Sequence, residues 1–204
     1  MTDALLIELR NRGAHMIKTL DISSLPFENR RGLDYAIVYT IPLRPQDKLD
    51  WPAFDQAEME GEILAEWLTQ EFISLGYKAY PHTLKNVFNS KTLTSPLPNK
   101  TLAVLAGLGW VGKNALFINP EYGSAFSIAA VLTNAILLAE NVTPMASRCG
   151  DCTHCRDICA SGAIYGRHWK PGLPRELLLD VSRCTQCFQC LAQCPWTQLH
   201  RDKH

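Results

Sequence analysis

The sequence predicts an α+β chain of two domains. Over the first 144 residues, stretches with helical spacing of apolar side chains alternate with short runs of β-branched and aromatic residues. All eight cysteines lie between Cys149 and Cys194, and the composition changes shortly before them. A chain of 204 residues has room for one good core and a small appendage. We therefore expect an α/β domain over residues 1–144 and a cysteine-rich domain over residues 145–204.

The N-terminal half opens with three predicted elements. Apolar side chains return to one face over residues 3–20, which predicts a helix. The run Tyr35–Ile41 is β-branched and aromatic and stops at Pro42, which predicts a buried strand. A long amphipathic helix is predicted over Asp55–Leu75, because its apolar positions keep helical spacing as far as Gly76.

Shorter elements are predicted after the long helix. Residues 77–80 favour a short strand, and residues 81–99 are rich in Pro, Asn, Ser and Thr, which predicts a long loop of the functional kind. A short helix is predicted around Lys100–Ala106. Strands are predicted near Leu116–Ile118 and over Phe126–Thr133.

Composition and charge narrow the classes of function. Twenty basic residues balance twenty acidic ones, and this zero net charge argues against nucleic acid as a main partner. The N-terminal segment carries Asp3 and lacks a long apolar core, so it does not resemble a signal peptide. No apolar run approaches the ~18 residues that span a bilayer. We therefore expect a cytoplasmic protein with no membrane partner.

The cysteines form two copies of the pattern C-x2-C-x2-C-x3-C. The first run is CGDCTHCRDIC, residues 149–159, and the second run is CTQCFQCLAQC, residues 184–194. In two-cluster ferredoxins with such runs, the fourth cysteine of each run binds the other cluster. The spacing therefore predicts two 4Fe–4S clusters with these ligands: Cys149, Cys152, Cys155 and Cys194 for one, and Cys184, Cys187, Cys190 and Cys159 for the other.

Zinc sites and a histidine ligand are the alternatives for this region. Zinc sites pair their cysteines across longer spacers, whereas each run here holds a triplet followed by a fourth cysteine. His154 lies between two cysteines, but four thiolates already serve each cluster, so His154 is expected to face solvent. One-electron transfer is the task that two such clusters predict.

A glycine-rich segment, AGLGWVGKN (residues 106–114, here the glycine segment), raises a second question. It contains G-x-G-x-x-G, the spacing of a dinucleotide fingerprint, but only six residues separate Gly112 from Asn119, and no acidic residue follows at about 20 residues. Its end approaches a phosphate-binding loop, but Asn114 stands where Ser or Thr is needed. Two interpretations of the segment remain: a tight glycine turn with a solvated Lys113, or a site for another cofactor.

The glycine segment, the stretch PEYGSAFSIAAVLTNAIL and the cysteine runs ending in CPW resemble the epoxyqueuosine reductases and, more distantly, the reductive dehalogenases. The resemblance covers about residues 80–196. It implies a cobalamin-binding domain related in fold to nitroreductases, followed by a ferredoxin-like domain with two 4Fe–4S clusters. By position it implies that six residues lie at the cofactor: Gly107, Leu108, Gly109, Trp110, Gly112 and Lys113.

The chain departs from the pattern of these families. The epoxyqueuosine reductases carry an aspartate, thought to donate a proton, where this sequence has Leu93. Their tRNA-acting members often carry a C-terminal helical-repeat domain, whereas this sequence ends soon after Cys194; with the zero net charge, we expect no tRNA substrate. The twin-arginine signal of exported dehalogenases is also not found. Other side chains are then candidates for the proton donor: Tyr80, His82, Lys85, Lys91 and Tyr122.

The function expected from this pattern is that of an oxidoreductase. Two clusters would receive electrons from a low-potential donor and pass them to a cofactor, cobalamin or alternatively flavin, for reduction of an unknown small molecule. The alternative is an electron-transfer module that serves a partner protein without a catalytic cofactor of its own. Leu93 favours the second function, whereas the intact glycine segment and the large N-terminal domain favour the first.

Overall fold

The computed structural model describes residues 2–44, 48–90, 94–139 and 142–202. The protein is α+β, as predicted. Its elements follow in this order: α1 (Thr2–Asn11), β1 (His15–Asp21), β2 (Tyr35–Pro42), α2 (Trp51–Ser74), β3 (Ala79–His82), α3 (Leu84–Val87), α4 (Asn99–Leu105), β4 (Trp110–Val111), β5 (Phe117–Ile118), β6 (Phe126–Thr133), α5 (His154–Asp157), a 3-10 helix (Arg175–Leu177), α6 (Gln189–Ala192) and α7 (Pro195–Arg201).

A four-stranded antiparallel sheet with the order β1-β2-β6-β3 forms the centre of the fold. Strands β2 and β6 pair along their whole length, from Tyr35 opposite Thr133 to Pro42 opposite Phe126. Both central strands are apolar at nearly every position, because both faces of the sheet are covered. A second, two-stranded ladder joins β4 to β5.

Each face of the sheet has its own core. On one face, Leu64, Leu68 and Phe72 of α2 pack with Ile37 and Tyr39 of β2. On the other face, α4 and the β4–β5 region pack against the alternate residues of the same strands. Leu178, which lies beyond the first cysteine run, is almost fully buried in this second core. The polypeptide on the cysteine side of the predicted domain boundary therefore contributes to the main core.

The predicted helix over residues 3–20 is wrong in its second half. Helix α1 ends at Asn11, and Gly13 with a φ of +107° turns the chain into β1. Apolar side chains in β1 then pair with β2 at the edge of the sheet. The apolar residues of β1 keep the helical spacing of α1 by coincidence. Pairing with β2 nevertheless makes residues 15–21 a strand.

The other predicted elements are confirmed with small shifts. The strand at Tyr35–Ile41 and the long helix are present, and the chain leaves α2 through Gly76 with a φ of +85°. The strand expected at 77–80 lies at Ala79–His82, and the predicted loop 81–99 includes the end of β3 and the short helix α3. Within the described ranges, no helix is both long enough and apolar enough to cross a membrane.

The two cysteine runs are joined by residues 160–183, here called the linker segment. It contains little regular structure beyond the 3-10 helix and an isolated bridge between Ile164 and Leu179. Trp169 and Leu173 of this segment pack against the second core together with Leu178. The linker segment thus runs from one cysteine run across the N-terminal fold and back to the other.

Candidate functional site

Four of the cysteines surround a small cavity at the junction of the glycine segment and the cysteine runs. Its volume is about 90 Å³. Three of the thiols come from the first run, and the fourth comes from the start of α7; together they are Cys149, Cys152, Cys155 and Cys194. A turn in which the Cys152 amide donates to the Cys149 carbonyl at 3.0 Å brings the first two thiols to the same side. This is the set that the spacing predicts for one cluster.

The electrostatics at Cys155 agree with the membership of this first group. Burial, followed by the thiols of Cys149, Cys194 and Cys152, raises the pKa of Cys155 to about 11. Negative sulfurs close to one another repel, so each one disfavours ionisation of its neighbours. The fourth cysteine of the second run therefore lies with the first three of the first run.

The second group has the complementary membership. Burial raises the pKa of Cys190 to about 12, and the thiols of Cys155, Cys184, Cys187 and Cys159 add to the shift. Apart from Cys155, which bridges the two groups, these are the partners that the spacing predicts. None of the eight cysteines, all of which lie among the described residues, forms a disulfide. Among the described residues, no three Cys, His, Asp or Glu side chains are grouped as ligands of a single metal ion.

The glycine segment is packed tightly between the sheet and the first cysteine group. A Cβ atom added at Gly109 would lie 2.0 Å from the carbonyl oxygen of Ile118, which is backbone and cannot move aside. The next residue, Trp110, is 2% exposed and packs edge-to-face on Trp196, with ring centroids 5.1 Å apart. Glycine at 109 therefore lets β4 approach β5 and directs Trp110 toward the cysteine runs.

Two polar side chains at the end of the glycine segment reach the cysteine runs. The buried Lys113 donates hydrogen bonds from Nζ to the carbonyl oxygens of Gly150 at 2.6 Å and Cys152 at 3.0 Å. Asn114 donates from Nδ2 to the carbonyl of Cys190 at 3.2 Å. The tight-turn alternative required a solvated Lys113. Lys113 is instead buried and holds the backbone of the first run.

Replacing Lys113 with methionine is expected to loosen the first cysteine run. The carbonyl groups of Gly150 and Cys152 would lose the charged donor that holds them, and we expect the free energy of unfolding to fall by about 2 kcal/mol. Iron bound after anaerobic reconstitution should fall in parallel. Urea denaturation and iron analysis measure the two effects, with Lys85→Met as the control because Lys85 lies on the surface beside Glu62. Equal iron in both variants would contradict this role.

A much larger cavity lies on the other side of the second cysteine run. Its volume is about 730 Å³, within the range of about 300 to 1,000 Å³ typical of small-molecule and cofactor sites. Helices α2 and α4, the ends of β5 and β6, the linker segment and the second run all contribute to its walls. Most of the surface is apolar, with these aromatic rings: Trp51, Phe54, Phe88, Phe117, Phe126, Trp169 and Phe188.

None of the six residues predicted to contact the cofactor lines the large cavity. The glycine segment and the residues after it border the cavity instead through Val111 and Ala115. Lys113 lines the small cavity with the cysteines. The role of the six residues as cofactor contacts stays a prediction, and the geometry gives the segment a second role in joining the two halves of the chain.

Phe188 connects the second cysteine run to the large cavity. It lies between Cys187 and Cys190 and lines the cavity wall. Its ring stacks on Phe54 with centroids 4.9 Å apart and an angle of 6°, and it packs edge-to-face on Trp51. The residue has a φ of +60°, a conformation that costs a non-glycine residue roughly 1 kcal/mol or more. The packing of its ring into the cavity wall offsets this strain.

Polar atoms in the cavity wall remain without partners. The Oδ1 atom of Asn99 and the Nε atom of Arg175 are buried and have no hydrogen-bond partner. Lys100 donates from Nζ to the carbonyl of Ala115 at 2.8 Å, and burial, aided by the charge of Arg175, lowers its pKa to about 8. An apolar cavity with a few unpaired polar groups fits a bound cofactor or substrate.

The predicted proton donors that the structure describes, Tyr80, His82, Lys85 and Tyr122, do not line the large cavity. The Tyr80 hydroxyl donates to Asn86, and its ring lies under Arg31. Burial lowers the pKa of His82, which bonds the Leu97 carbonyl. Lys85 and Tyr122 also lie elsewhere, while Lys91 and Leu93 fall outside the described residues.

Sequence analysis missed three cavity residues: Lys100, Arg175 and Phe188. Phe188 had a detectable signal, because the second run has a phenylalanine where the first has Thr153. A large apolar ring inside a ligand loop needs an apolar neighbour. Lys100 and Arg175 carry no motif, and only the folded chain brings them to one cavity.

Comparisons with known proteins agree with the predicted resemblance. No family model matches the chain. Curated relatives named epoxyqueuosine reductase include one from Listeria monocytogenes, 40% identical over 121 residues, covering 52% of this chain and 31% of the relative. Another, from Pseudomonas aeruginosa, is 29% identical over 153 residues, covering 68% and 39%. The chain thus spans about a third of the length of the curated relatives it matches.

Solved structures show the same relationship at the level of fold. An epoxyqueuosine reductase bound to a tRNA stem loop superposes with a TM-score of 0.62 at 17% identity, covering 97% of this chain and 65% of that chain. A catabolic reductive dehalogenase with 3-bromo-4-hydroxybenzoic acid gives a TM-score of 0.71 at 21% identity, covering 96% and 31%. Another dehalogenase structure concerns B12-dependent dehalogenation. The chain is similar to epoxyqueuosine reductases in sequence and to both groups in fold.

Proposed function

We propose, from this likeness and from the two cavities, that the chain is an iron–sulfur oxidoreductase related to epoxyqueuosine reductase. Its cysteines hold two 4Fe–4S clusters, one on Cys149, Cys152, Cys155 and Cys194 and the other on the remaining four. The observation that carries the proposal is the grouping of thiols from both runs, which matches the crossed pattern of two-cluster proteins. Thiolates are the donors that iron–sulfur clusters require, so the residues fit the group.

The large cavity is the proposed site of the catalytic cofactor, and a corrinoid is the first candidate. The aromatic walls suit a flat ring system, and the unpaired polar atoms can orient its edge. A cobalamin bound there would supply low-valent cobalt as the reductant. Val111 and Ala115 would pack against it, in keeping with the expected role of the glycine segment.

The residues of the chain have definable tasks in this proposal. The largely apolar cavity walls would reduce the contact of the reacting groups with water, which strengthens electrostatic interactions there. Phe188 lies between Cys187 and Cys190 in the sequence and lines the cavity, so its side chain would connect the second cluster with the cofactor site. Cys152 and Cys187 are exposed, which gives a low-potential donor access to the clusters.

The substrate in this proposal is a small molecule reduced in the large cavity. One structural neighbour is bound to a tRNA stem loop, so the likeness in fold also supports a nucleic-acid substrate. The zero net charge of this chain argues against such a substrate. Cluster ligation needs reduced cysteines, so we place the chain in a reducing compartment such as the cytoplasm. The division at residues 144 and 145 remains the proposed domain boundary.

Two alternatives have an observation in their favour. Flavin is a second candidate for the cavity, because its ring is also flat and the volume suits it. The electron-transfer module is supported by the exposed cysteines, which could serve a partner protein directly. The module would bind iron and leave the large cavity without a cofactor.

Anaerobic reconstitution separates these alternatives. The purified chain is loaded with iron and sulfide, incubated with hydroxocobalamin or FMN, and passed through a gel-filtration column. We expect about eight iron atoms per chain and corrinoid absorbance that co-elutes with the protein. FMN co-elution alone would support the flavin, and iron alone would support the module. Colourless protein that holds zinc would contradict the proposal.

A variant that fills the cavity provides the control. Thr101 lies on α4 and lines the large cavity. Thr101→Trp should abolish co-elution of the cofactor and leave the iron content unchanged. Thr143→Trp places the same ring on an exposed residue outside both cavities and should bind like the original chain. Equal cofactor binding by both variants would show that the cofactor is held elsewhere.

A further inference from the structure

Two cations from distant parts of the sequence meet at the large cavity. Lys100 belongs to α4, and Arg175 begins the 3-10 helix of the linker segment. Both line the cavity, and the charge of Arg175 is strong enough at Lys100 to help lower its pKa. Like charges held close together in a partly dry wall destabilise each other, so this arrangement is costly without an anion.

The surrounding acids offset only part of the charge of the pair: Arg175 donates a hydrogen bond to Glu176, and no carboxylate is recorded in contact with Lys100 among the described residues. Two carboxylates line the cavity, Glu58 and Glu176. Glu176 approaches Nη2 of Arg175 at 3.4 Å, in a pair that is largely exposed on the glutamate side. The pKa of Glu58 is raised by burial and by the nearby acids Asp55 and Glu62.

Hydrogen-bonding capacity is also left over at this point of the wall. The Lys100 ammonium has three donors, and its hydrogen bond to the Ala115 carbonyl uses one. The Nε–H of Arg175 is buried without an acceptor. A buried donor without a partner costs free energy that an acceptor from a ligand would recover. The positive charge of the two side chains and their unused hydrogen-bond donors would therefore both be satisfied by an anionic acceptor group.

We infer that Lys100 and Arg175 form a subsite for an anionic group, a phosphate or carboxylate, of the ligand in the large cavity. The inference rests on the proposed function in that it assigns a ligand to this cavity. Arginine suits an oxyanion through its planar set of donors, and lysine adds a compact point charge. The anionic group can belong to the cofactor or to the substrate, and the chemistry of recognition is the same.

Inorganic phosphate tests the subsite without any redox cofactor. Thermal unfolding of the iron-loaded chain is followed at constant ionic strength, with sodium chloride replaced stepwise by phosphate. A ligand that binds the folded state raises the midpoint, so phosphate should stabilise the chain but not Lys100→Gln or Arg175→Gln. Lys85→Gln removes one charge outside the cavity and should respond like the original chain. Equal stabilisation of all four proteins would overturn the inference.

Two matched ligand pairs then identify the source of the anion. FMN differs from riboflavin by its phosphate, and cobalamin differs from cobinamide by its phosphate-bearing nucleotide tail. If the cofactor supplies the anion, the phosphate-bearing member should bind at least about tenfold more tightly, and Lys100→Gln should remove this preference. Phosphate should then no longer stabilise the cofactor-loaded chain.

The remaining outcomes also discriminate. If both members of a pair bind equally and phosphate still stabilises the loaded chain, the subsite holds and serves the substrate. If phosphate stabilises the chain but neither cofactor binds, the subsite holds and the proposed cofactor is wrong. A third result is that cofactors bind, but Lys100→Gln and Arg175→Gln change neither the stabilisation by phosphate nor the preference for the phosphate-bearing cofactor. The cofactor proposal then stands and the subsite is wrong.

Discussion

Replacing Cys155 and Cys194 together with alanine should leave about four of the expected eight iron atoms per chain. Both thiols line the small cavity, so the crossed arrangement assigns them to the same cluster. The second cluster keeps all four ligands and should be retained. Replacing Cys155 and Cys159 together instead removes one ligand from each cluster, and iron binding should fall close to zero.

The two double variants are matched, since each removes two thiols and both include Cys155. Iron and acid-labile sulfide per chain are measured after anaerobic reconstitution, together with the electron paramagnetic resonance of the reduced protein. If each run instead held its own cluster, the order would reverse: the Cys155 and Cys159 variant would keep half of the iron, and the Cys155 and Cys194 variant would lose nearly all of it. Such a reversal would reject the crossed arrangement.

Gly109→Ala should be among the most damaging single substitutions in the chain. The added methyl group would lie 2.0 Å from the Ile118 carbonyl oxygen and 2.9 Å from the adjoining carbonyl carbon. Relief requires β4 to move away from β5, which also displaces Trp110 from Trp196. We expect the free energy of unfolding to fall by about 3 kcal/mol or more. Because Lys113 moves with the segment, cluster loading should also fall.

Gly61→Ala is the matched control for this prediction. Gly61 lies in α2, and an added Cβ would meet the Ala129 side chain at 3.3 Å rather than backbone. The gain of about 1 kcal/mol in helix propensity offsets the tight contact, so the stability should change little. Chemical denaturation of both variants measures the difference. A Gly109→Ala variant as stable as Gly61→Ala would show that the β4–β5 contact tolerates a side chain.

The cysteine groups illustrate what local spacing can predict. Ligand spacing is a covalent property of the chain, so two runs of the same pattern predict both groups and their crossed membership. The central strand at Tyr35–Ile41 and the helix before Gly76 were predictable for a similar reason. Their apolar patterns are long, and a definite stop signal follows each of them.

Other features depend on contacts that no local pattern records. Strand β1 forms because β2 offers it an edge, although its spacing favoured a helix. Lys113 looks solvated in the sequence, because its partners, the carbonyls of Gly150 and Cys152, are separated from it by more than thirty residues. Arg175 reaches the large cavity only because the linker segment crosses the N-terminal fold.

The path of the linker segment has a consequence for how the molecule responds to oxygen. The linker segment is flanked by Cys159 and Cys184, which the proposal assigns to one cluster, and its middle forms part of the large cavity wall. The cluster then cross-links the two ends of the linker segment and holds this loop against the molecule bound in the cavity. Oxidative loss of that centre would release both ends of the loop. Exposure to air should therefore release the bound molecule from the cavity while the central sheet remains folded.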